Sequence, residues 1–519
     1  FAPQTTTPMQ RKIPLWLFSL IVCVFYCATI TVIEFSDQPV NDIFSFAKTA
    51  MLYSLVSVAS WGVFSLLSVS RRVFALLFPP LMAFSGAMGY LGLTIGSRVS
   101  ETSIEIALGN DAEMWFSVIT PGLAAAILIG LAIGILFARM RWRNVVSTSR
   151  QRWVMTIAGV LITIGSMTAS PKIIWTVGNR LPYSLYYCFN LYLTNKKEAA
   201  AVRTTYEHTP ALAADNAPDV IFVIGESLRA DHLPMNGYHR NTLPKISDDS
   251  LLINFPEIYT DHTNTNIAVP HLLTRYSAQK PNHAFSDQSF ITLFKNAGYK
   301  TAWFANQNLT KYYSYFANEA DSLIYCNDGK SIFHYERTLD TDMIPPFRQW
   351  INEPDSAPRL AILHAIGSHW WYPTHYTEVD ETFTPVIKHK EIAGLSNEAI
   401  VNSYDNTILA TDRFLAELRA TVNQRNAIII YMSDHGELLG EDGCYLHDGN
   451  QEPLHRPAAF VLPTATYAAN FPQVVDSLRM SASTPMSATL TFHTLLSLGR
   501  ISTPVLNPDS TFLSGRPLR

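Results

Sequence analysis

The feature that most constrains this chain is a set of five long apolar stretches, all of them before about residue 170. They cover approximately residues 13–33, 43–68, 73–95, 116–137 and 153–169. A helix of roughly 20 residues crosses the hydrocarbon core of a bilayer, so each stretch is long enough, or nearly so, for one span. We therefore predict a multi-pass α-helical membrane domain with five transmembrane helices over residues 1–170. The alternative is four spans, with one stretch lying only at the membrane surface.

Basic residues mark alternate loops of this predicted domain. They precede the first stretch and lie between the second and third and between the fourth and fifth: Arg11, Lys12, Arg71, Arg72, Arg139, Arg141, Arg143, Arg150 and Arg152. The intervening loops are mainly acidic. The positive-inside rule then places the amino terminus in the cytoplasm, and an odd number of spans places everything after residue 170 outside it. Four spans would spoil this alternation of charge.

Residues 171–216 differ in composition from the segments on either side. Aromatic and basic side chains interleave here, for example Trp175 with Lys172 and Tyr192 with Lys196. This combination is typical of a membrane interface, so we predict bridging helices on the outer leaflet. A plain linker that packs on the following domain is the alternative. Residues 217–519 are predicted to form a soluble domain.

Composition excludes several classes of protein. The chain is 48% hydrophobic and only 15% charged, which is too apolar for a soluble enzyme of 519 residues. A net charge of −4 argues against nucleic-acid binding. The spacing of the five cysteines matches no zinc knuckle or disulfide framework. A Cys326–Cys444 bridge is the one disulfide that the soluble part suggests.

Strand and helix patterns alternate in the soluble part. Short apolar runs predict strands over residues 219–224, 300–305, 360–364 and 427–432, and helical periodicity falls at residues 290–297 and 396–421. Such alternation indicates an α/β domain with a mainly parallel sheet.

Metal-competent side chains follow three of these strands. Glu226 follows the first, His364 ends the third and is followed by His369, and Asp434 and His435 follow the last. Ligands of open α/β sheets bind beyond the carboxyl ends of the strands. Carboxylates and imidazoles together suit a metal such as zinc, so the pattern predicts a metal site at this edge.

A hydroxyl-rich segment, residues 260–270, precedes a predicted helix at 267–276. A hydroxyl at a helix amino terminus lies where backbone N–H groups favour phosphate. Thr263 or Thr265 is therefore either an activated nucleophile or simply a helix cap. His262 and His271 are weaker candidates for contact with a substrate.

The order and spacing of these motifs resemble the bacterial phosphoethanolamine transferases that modify lipid A, within the alkaline phosphatase and sulfatase superfamily. The resemblance covers the whole chain. It rests on Gly225-Glu226-Ser227-x-Arg229-Ala230-Asp231-His232, Thr265 five residues before Pro270, Ile366-Gly367-Ser368-His369, Tyr404-Asp405-Asn406-Thr407, Ser433-Asp434-His435-Gly436-Glu437 and Tyr445-Leu446-His447.

The resemblance implies a role for each matching position. The ligands of one catalytic zinc ion would be Glu226, Thr265, Asp434 and His435, with Thr265 also the nucleophile. The phosphate, or a second and looser zinc, would be held by His369 and His447. The substrate pocket would be lined by His364, Lys311 and Glu437.

The implied reaction moves phosphoethanolamine from phosphatidylethanolamine to lipid A or another envelope glycan, through a covalent phosphothreonine-type intermediate. The implied location is the inner membrane of a Gram-negative bacterium, with a monomeric enzyme whose catalytic domain faces the periplasm. A phosphoglycerol transferase and a non-catalytic membrane sensor or scaffold are the alternatives. Sulfatase activity is disfavoured because Ala268 occupies the position where a sulfatase needs Cys or Ser.

Two departures from the family pattern stand out. Ser227 replaces the usual threonine beside Glu226, and Asp261 and His271 stand where the family often carries cysteines around the nucleophile. The disulfides typical of the family are therefore expected to be absent.

Overall fold

A computed structural model describes residues 12–35, 42–100, 103–104, 108, 119–199, 203–275, 286–307, 309–310, 312–327, 337–392, 394–447 and 449–515. The chain divides into two compact units. The helical unit comprises Phe1–Lys196 and Asp442–Cys444, and the sheet unit comprises Lys197–Glu441 and Tyr445–Arg519. All five cysteines are free thiols.

The helical unit contains helices at most of the predicted apolar stretches. They are α1 (Leu15–Tyr26), α2 (Ile43–Val69), α3 (Arg71–Ile95), α4 (Pro121–Arg143), α5 (Ser149–Thr168), α6 (Pro171–Gly178) and α7 (Ser184–Ala199). Helix α1 continues as a π-helical turn over Cys27–Thr31. The helices pack through buried aromatic side chains, among them Phe64, Phe74 and Phe78.

Three of these helices, α2, α3 and α4, are long and apolar enough to cross a membrane. Helices α5 and α6 meet the same criteria as a pair, but the chain bends by 112° between them. The apolar helix Leu15–Thr31 is shorter. Length and composition thus support three or four spans among the described residues, and five spans stay a prediction.

A seven-stranded sheet forms the centre of the sheet unit. Its strands are β1 (Asp219–Gly225), β2 (Ile253–Asn254), β3 (Lys300–Ala305), β4 (Ser322–Tyr325), β5 (Arg359–His364), β6 (Ala427–Ser433) and β7 (Ala459–Pro463). The order across the sheet is β2-β7-β6-β1-β5-β3-β4. Only β7 runs in the direction opposite to the other six strands, so the predicted mainly parallel α/β sheet is confirmed.

Helices surround this sheet. They are α8 (Thr265–Leu273), α9 (Phe290–Asn296), α10 (Ser314–Ala317), α11 (Ile344–Ile351), α12 (Asn397–Val422), α13 (Ala465–Asn470), α14 (Pro472–Ser481) and α15 (Thr491–Leu498). The apolar core includes Phe222, Trp303 and Ile430, each buried on a strand. Buried strands with apolar side chains on both faces explain why β1, β5 and β6 read as continuous apolar runs.

Strand register decides which polar side chains meet at the carboxyl edge. Ser433 of β6 pairs with Gly225 of β1, and Ile224 of β1 pairs with His364 of β5. The residues that follow these three strands therefore emerge at the same level. The predicted helix at 267–276 begins two residues earlier, at Thr265, which places that residue on the helix itself.

Candidate metal centre and nucleophile

Glu226 and Asp434 lie side by side beyond β1 and β6. Both side chains are fully buried. Asp434 Oδ1 accepts the backbone N–H of Ser227 at 3.1 Å and that of His435 at 2.8 Å. Asp434 Oδ2 has no hydrogen-bond partner among the described residues. One oxygen of this carboxylate thus holds the strand ends together, and the other is left for a ligand.

His435 presents a defined ring nitrogen to these carboxylates. Its Nδ1–H donates to the carbonyl of Gly436 at 2.7 Å, and a carbonyl can only accept. This leaves Nε2 with its lone pair, the arrangement usual for a metal-binding histidine. Nε2 lies 3.3 Å from Asp434 Oδ2 and 3.6 Å from Glu226 Oε1.

The cluster suits a divalent cation. Ligand atoms of Glu226, His435 and His447 all lie within 4.8 Å of one another. Burial, reinforced by the charge of Glu226, raises the pKa of Asp434 well above its usual range. Burial would also raise the pKa of Glu226, but His435, His369 and His447 lower it to about 2. Two adjacent buried carboxylates and an imidazole fit the ligand chemistry of zinc.

Thr265 brings its hydroxyl into the same cluster. Its Oγ1–H donates to Glu226 Oε2 at 3.1 Å and lies 3.3 Å from His435 Nε2. The cap of helix α8 is Asn264, whose side chain accepts the N–H of Asn266. The Thr265 hydroxyl is therefore not needed as a cap. Thr263, the other candidate, donates its hydroxyl to the carbonyl of Gly449 at 2.9 Å.

His447 and Glu437 form a hydrogen-bonded pair beside His435. His447 Nδ1 lies 3.0 Å from Glu437 Oε2, and the hydroxyl of Tyr372 donates to Glu437 Oε1 at 3.1 Å. Burial alone would lower the pKa of His447, but Glu437 raises it to about 9. The rings of His435 and His447 are 4.5 Å apart. Glu437 thus fixes the orientation of the His447 imidazole next to the cluster.

The structure does not bring all of the remaining predicted site residues, His369, His364 and Lys311, into this cluster. The His369 ring centroid lies 6.0 Å from that of His447, and burial lowers the pKa of His369. His364 is fully buried edge-on to Trp303 and Tyr313, and its ring nitrogens have no hydrogen-bond partner in the described part of the chain. Burial lowers the pKa of His364 to about 4. Lys311 lies outside the described residues.

The rings of His262 and His271 pack against one another in a tilted arrangement, with centroids 3.9 Å apart. His271 Nδ1–H donates to the carbonyl of Ile267 within helix α8. Burial, and then the charges of His271 and His455, lower the pKa of His262 to about 3. The pair therefore packs a neutral imidazole against the helix that carries Thr265.

Sequence reasoning missed two residues that hold the site in place. Gln307 Nε2 donates to Glu226 Oε2 at 3.1 Å and to the carbonyl of Ala365 at 2.6 Å. Asp340 accepts the N–H groups of Ile366 and Gly367 at 2.8 and 3.0 Å. Gln307 follows β3, so the rule that found the other strand-end residues could also have found it. Asp340 precedes a helix and carries no such signal.

Gly367 shows why this loop needs glycine. Its φ is +49°, and a Cβ there would lie 2.7 Å from the carbonyl oxygen of Glu226. The loop between β5 and His369 therefore packs directly against the backbone of a proposed metal ligand.

This arrangement defines a class of protein: an α/β domain with a threonine hydroxyl beside a buried cluster of carboxylates and imidazoles at the carboxyl edge of a mainly parallel sheet. Residues 218–501 match the sequence profile of the sulfatase family. The chain therefore belongs to the sulfatase family.

Several similar proteins are named as phosphoethanolamine transferases, which confirms the resemblance predicted from the motifs. Phosphatidylethanolamine transferase Mcr-1 of Escherichia coli is 24% identical over 486 residues, covering 85% of this chain and 88% of the relative. Phosphoethanolamine transferase EptA of Helicobacter pylori is 25% identical over 503 residues, covering 92% and 91%.

Solved structures support the fold over nearly the whole chain. The integral membrane protein lipooligosaccharide phosphoethanolamine transferase A of Neisseria meningitidis superposes with a TM-score of 0.77 at 20% identity, covering 96% of this chain and 98% of that one. The periplasmic domain of Escherichia coli EptC in complex with Zn superposes with a TM-score of 0.53 at 23% identity, covering 60% and 90%.

Proposed function

We propose that this chain is a zinc-dependent phosphoethanolamine transferase, which moves phosphoethanolamine from phosphatidylethanolamine to lipid A or another envelope glycan. The similar named proteins support the transferred group, and the Zn complex of the EptC domain supports the metal. The observation that carries the proposal is the position of the Thr265 hydroxyl, 3.1 Å from Glu226 Oε2 and 3.3 Å from His435 Nε2.

The ligands of the zinc ion are Glu226, Thr265, Asp434 and His435. When bound, zinc lowers the pKa of a coordinated hydroxyl and polarises a phosphate oxygen. The buried carboxylates of Glu226 and Asp434 and the lone pair of His435 Nε2 already lie close together. They form a negatively charged set of ligands that is partly preformed. A second, looser zinc or the substrate phosphate is held by His369 and His447.

Thr265 performs the covalent step. Its Oγ1 gives up the hydroxyl proton and attacks the phosphorus of phosphatidylethanolamine, the bond from phosphorus to the glycerol oxygen breaks, and this oxygen takes up a proton as diacylglycerol leaves. An oxygen of the acceptor then attacks the same phosphorus, the bond from phosphorus to Oγ1 breaks, and Oγ1 takes up a proton to regenerate Thr265. Two displacements predict ping-pong kinetics. The N–H groups at the start of α8 favour the negative charge of the phosphoryl group.

Other residues bind the donor. His369 and His447 contact the phosphoryl oxygens, and a pocket lined by His364, Lys311 and Glu437 stays a prediction. The cationic His447, held by Glu437, stabilises the charge that develops on these oxygens in the transition state.

Both proposed substrates are lipids, so an enzyme anchored in the membrane would meet them in the same bilayer. We propose five spans, a cytoplasmic amino terminus and a periplasmic catalytic domain in the inner membrane of a Gram-negative bacterium. The proposed enzyme acts as a monomer.

The decisive experiment is intact-mass spectrometry of the zinc-loaded protein after incubation with phosphatidylethanolamine. The wild-type chain should gain the mass of one phosphoethanolamine group, and Thr265→Ala should not. Thr263→Ala is the matched control, because this neighbouring hydroxyl bonds to the carbonyl of Gly449. We expect Thr263→Ala to form the adduct like the wild type.

The remaining outcomes separate the alternatives. A mass gain with phosphatidylglycerol but none with phosphatidylethanolamine would make the chain a phosphoglycerol transferase. An adduct on Thr265→Ala would overturn the choice of nucleophile. A zinc-loaded protein that forms no adduct and releases no diacylglycerol with either lipid would point to a non-catalytic sensor or scaffold.

A further inference from the structure

In the turn that follows Glu226, three consecutive backbone N–H groups each donate a hydrogen bond to a side chain. The N–H of Ser227 donates to Asp434 Oδ1 at 3.1 Å, and the N–H of Leu228 donates to Ser433 Oγ at 2.8 Å. The N–H of Arg229 donates to the hydroxyl of Tyr404 at 2.9 Å. Two of the three acceptors come from the end of β6, and the third comes from helix α12.

Tyr404 contacts this turn twice. Its hydroxyl accepts from Arg229 N and donates to the carbonyl of Ser227 at 2.7 Å. The side chain is completely buried, with its ring edge-on to Tyr372 and His232. A buried hydroxyl that satisfies both a backbone donor and a backbone acceptor leaves two unpaired polar groups when it is removed.

The turn needs such support because its backbone is strained. Ser227 has a φ of +57°, a conformation that residues other than glycine rarely adopt. In this conformation the Ser227 hydroxyl donates to Glu226 Oε1 at 2.8 Å. The hydroxyl of Tyr404 is therefore linked to the carboxylate of Glu226 through a single residue, Ser227.

The residues next to Tyr404 hold other loops, one of which carries His369. Asp405 accepts from the hydroxyl of Tyr238 and from Arg240, and Thr407 Oγ1 donates to Ser368 Oγ at 2.7 Å, beside His369. Each contact starts from the same rigid helix. This explains why Tyr404-Asp405-Asn406-Thr407 stands out in the sequence although these side chains contribute no candidate ligand.

We infer that Tyr404 is a positioning residue for the metal centre. Its hydroxyl keeps Ser227 in the left-handed conformation and so holds the carboxylate of Glu226 in the orientation that binds zinc. The inference rests on the proposed function only in taking zinc as the metal. Without this hydroxyl the turn relaxes toward ordinary φ values, Glu226 loses its contact with Ser227, and zinc is held less tightly.

The test is Tyr404→Phe in the full-length protein, which removes one oxygen and keeps the ring. Zinc affinity is measured by competition with a chelator, together with the thermal midpoint and the rate of adduct formation. Loss of a partner behind a metal ligand typically lowers metal affinity by roughly 10–100-fold, and we expect a fall of that size. Excess zinc should restore much of the adduct rate.

Tyr467→Phe is the matched control. Tyr467 is also fully buried, and its hydroxyl donates to the carbonyl of Leu498, where it stabilises the fold away from the candidate ligands. We expect this variant to lose thermal stability without a change in zinc affinity. A merely structural role for Tyr404 would give the same result as this control.

The possible results all bear on the inference. Zinc affinity of Tyr404→Phe within about twofold of the wild type would overturn it. A Tyr404→Phe chain that fails to fold while Tyr467→Phe folds would also overturn it, because the hydroxyl would then be a requirement of the fold. A wild-type protein that binds zinc but forms no lipid adduct would contradict the proposed function and leave the inference standing.

Discussion

The carboxylate of Asp434 accepts the backbone N–H of Ser227 at 3.1 Å, although 207 residues separate them in the chain. This bond joins the ends of β1 and β6 at the point where Glu226 and His435 emerge. It uses Oδ1 and leaves Oδ2 without a hydrogen-bond partner in the described residues. Asp434 therefore links two strands and, in the proposed site, binds zinc.

Replacing Asp434 by Asn should separate these two roles. The amide keeps an oxygen for Ser227 N but removes the charge that attracts the metal. Because a change behind a ligand already costs roughly 10–100-fold, we expect zinc affinity to fall by more than that. Competition with a chelator measures the affinity. In the wild type, zinc at 100 times its Kd should stabilise the fold by about 2.7 kcal/mol, and this thermal shift should disappear in Asp434→Asn.

Asp412→Asn is the control for this prediction. Asp412 is a buried carboxylate of helix α12 that accepts the backbone N–H groups of Lys245 and Ile246. Its replacement should change stability without changing zinc affinity. Unaltered zinc binding by Asp434→Asn would remove Asp434 from the ligand set.

Gly436→Ala should disturb the site by sterics alone. A Cβ at Gly436 would overlap the carbonyl oxygen of Pro453. Gly436 would have to move, together with His435 and Glu437 on either side of it. Displacement of a catalytic group by about 1 Å can cost roughly 100-fold in rate. We therefore expect the thermal midpoint and the rate of adduct formation on Thr265 both to fall.

Gly165→Ala provides the comparison, since a Cβ at Gly165 meets nothing within 4 Å. Alanine favours helix over glycine by roughly 1 kcal/mol, so this variant of α5 should be at least as stable as the wild type. A Gly436→Ala protein with the wild-type rate would show that the loop tolerates displacement.

His493 should make the protein sensitive to acid. The His493 ring lies in α15, and Nδ1 accepts the N–H of Asn507 at 3.2 Å. Burial, and then the charge of Arg275, lower the pKa of His493 from 6.5 to about 4. Between these values the unfolded chain binds a proton that the folded chain does not. The stability that this group contributes is therefore complete above pH 6.5 and is lost as the pH falls toward 4.

The variant His493→Gln tests this dependence. It removes a contribution of up to about 1.4 kcal/mol per pH unit, so its thermal midpoint should fall less steeply with acid than that of the wild type. Above pH 6.5 the two midpoints should differ by a constant amount. Parallel curves down to pH 4 would contradict the lowered pKa.

The five-span topology is tested by cysteine labelling in a background without the native cysteines. Ser147→Cys lies in the loop before α5, and Asp215→Cys lies after α7. In right-side-out membrane vesicles, an impermeant maleimide should label Asp215→Cys only, because one further span separates the two positions. Labelling of both positions, or of neither, would mean that the fifth apolar stretch does not span the membrane.

Much of the sheet unit could be predicted from local patterns. Strand β3 lies at the predicted residues 300–305, and helix α12 differs from the prediction by one residue at each end. These elements are long or strongly periodic. Three strands were not predicted. Strands β2 and β4 are short, with two and four residues, and the apolar run of β7 ends in Pro463, a residue that argues against a strand.

The sequence by itself determined the strand-end residues Glu226, Asp434 and His435, since apolar runs that stop at polar side chains are local signals. Only the tertiary structure showed that the Thr265 hydroxyl lies beside Glu226 while that of Thr263 bonds to Gly449, and only it linked Tyr404 to the turn at Ser227. The physical reason is that these relationships depend on strand register and helix packing. Both bring together side chains that are far apart in the chain, and the local sequence does not show which of them will be in contact.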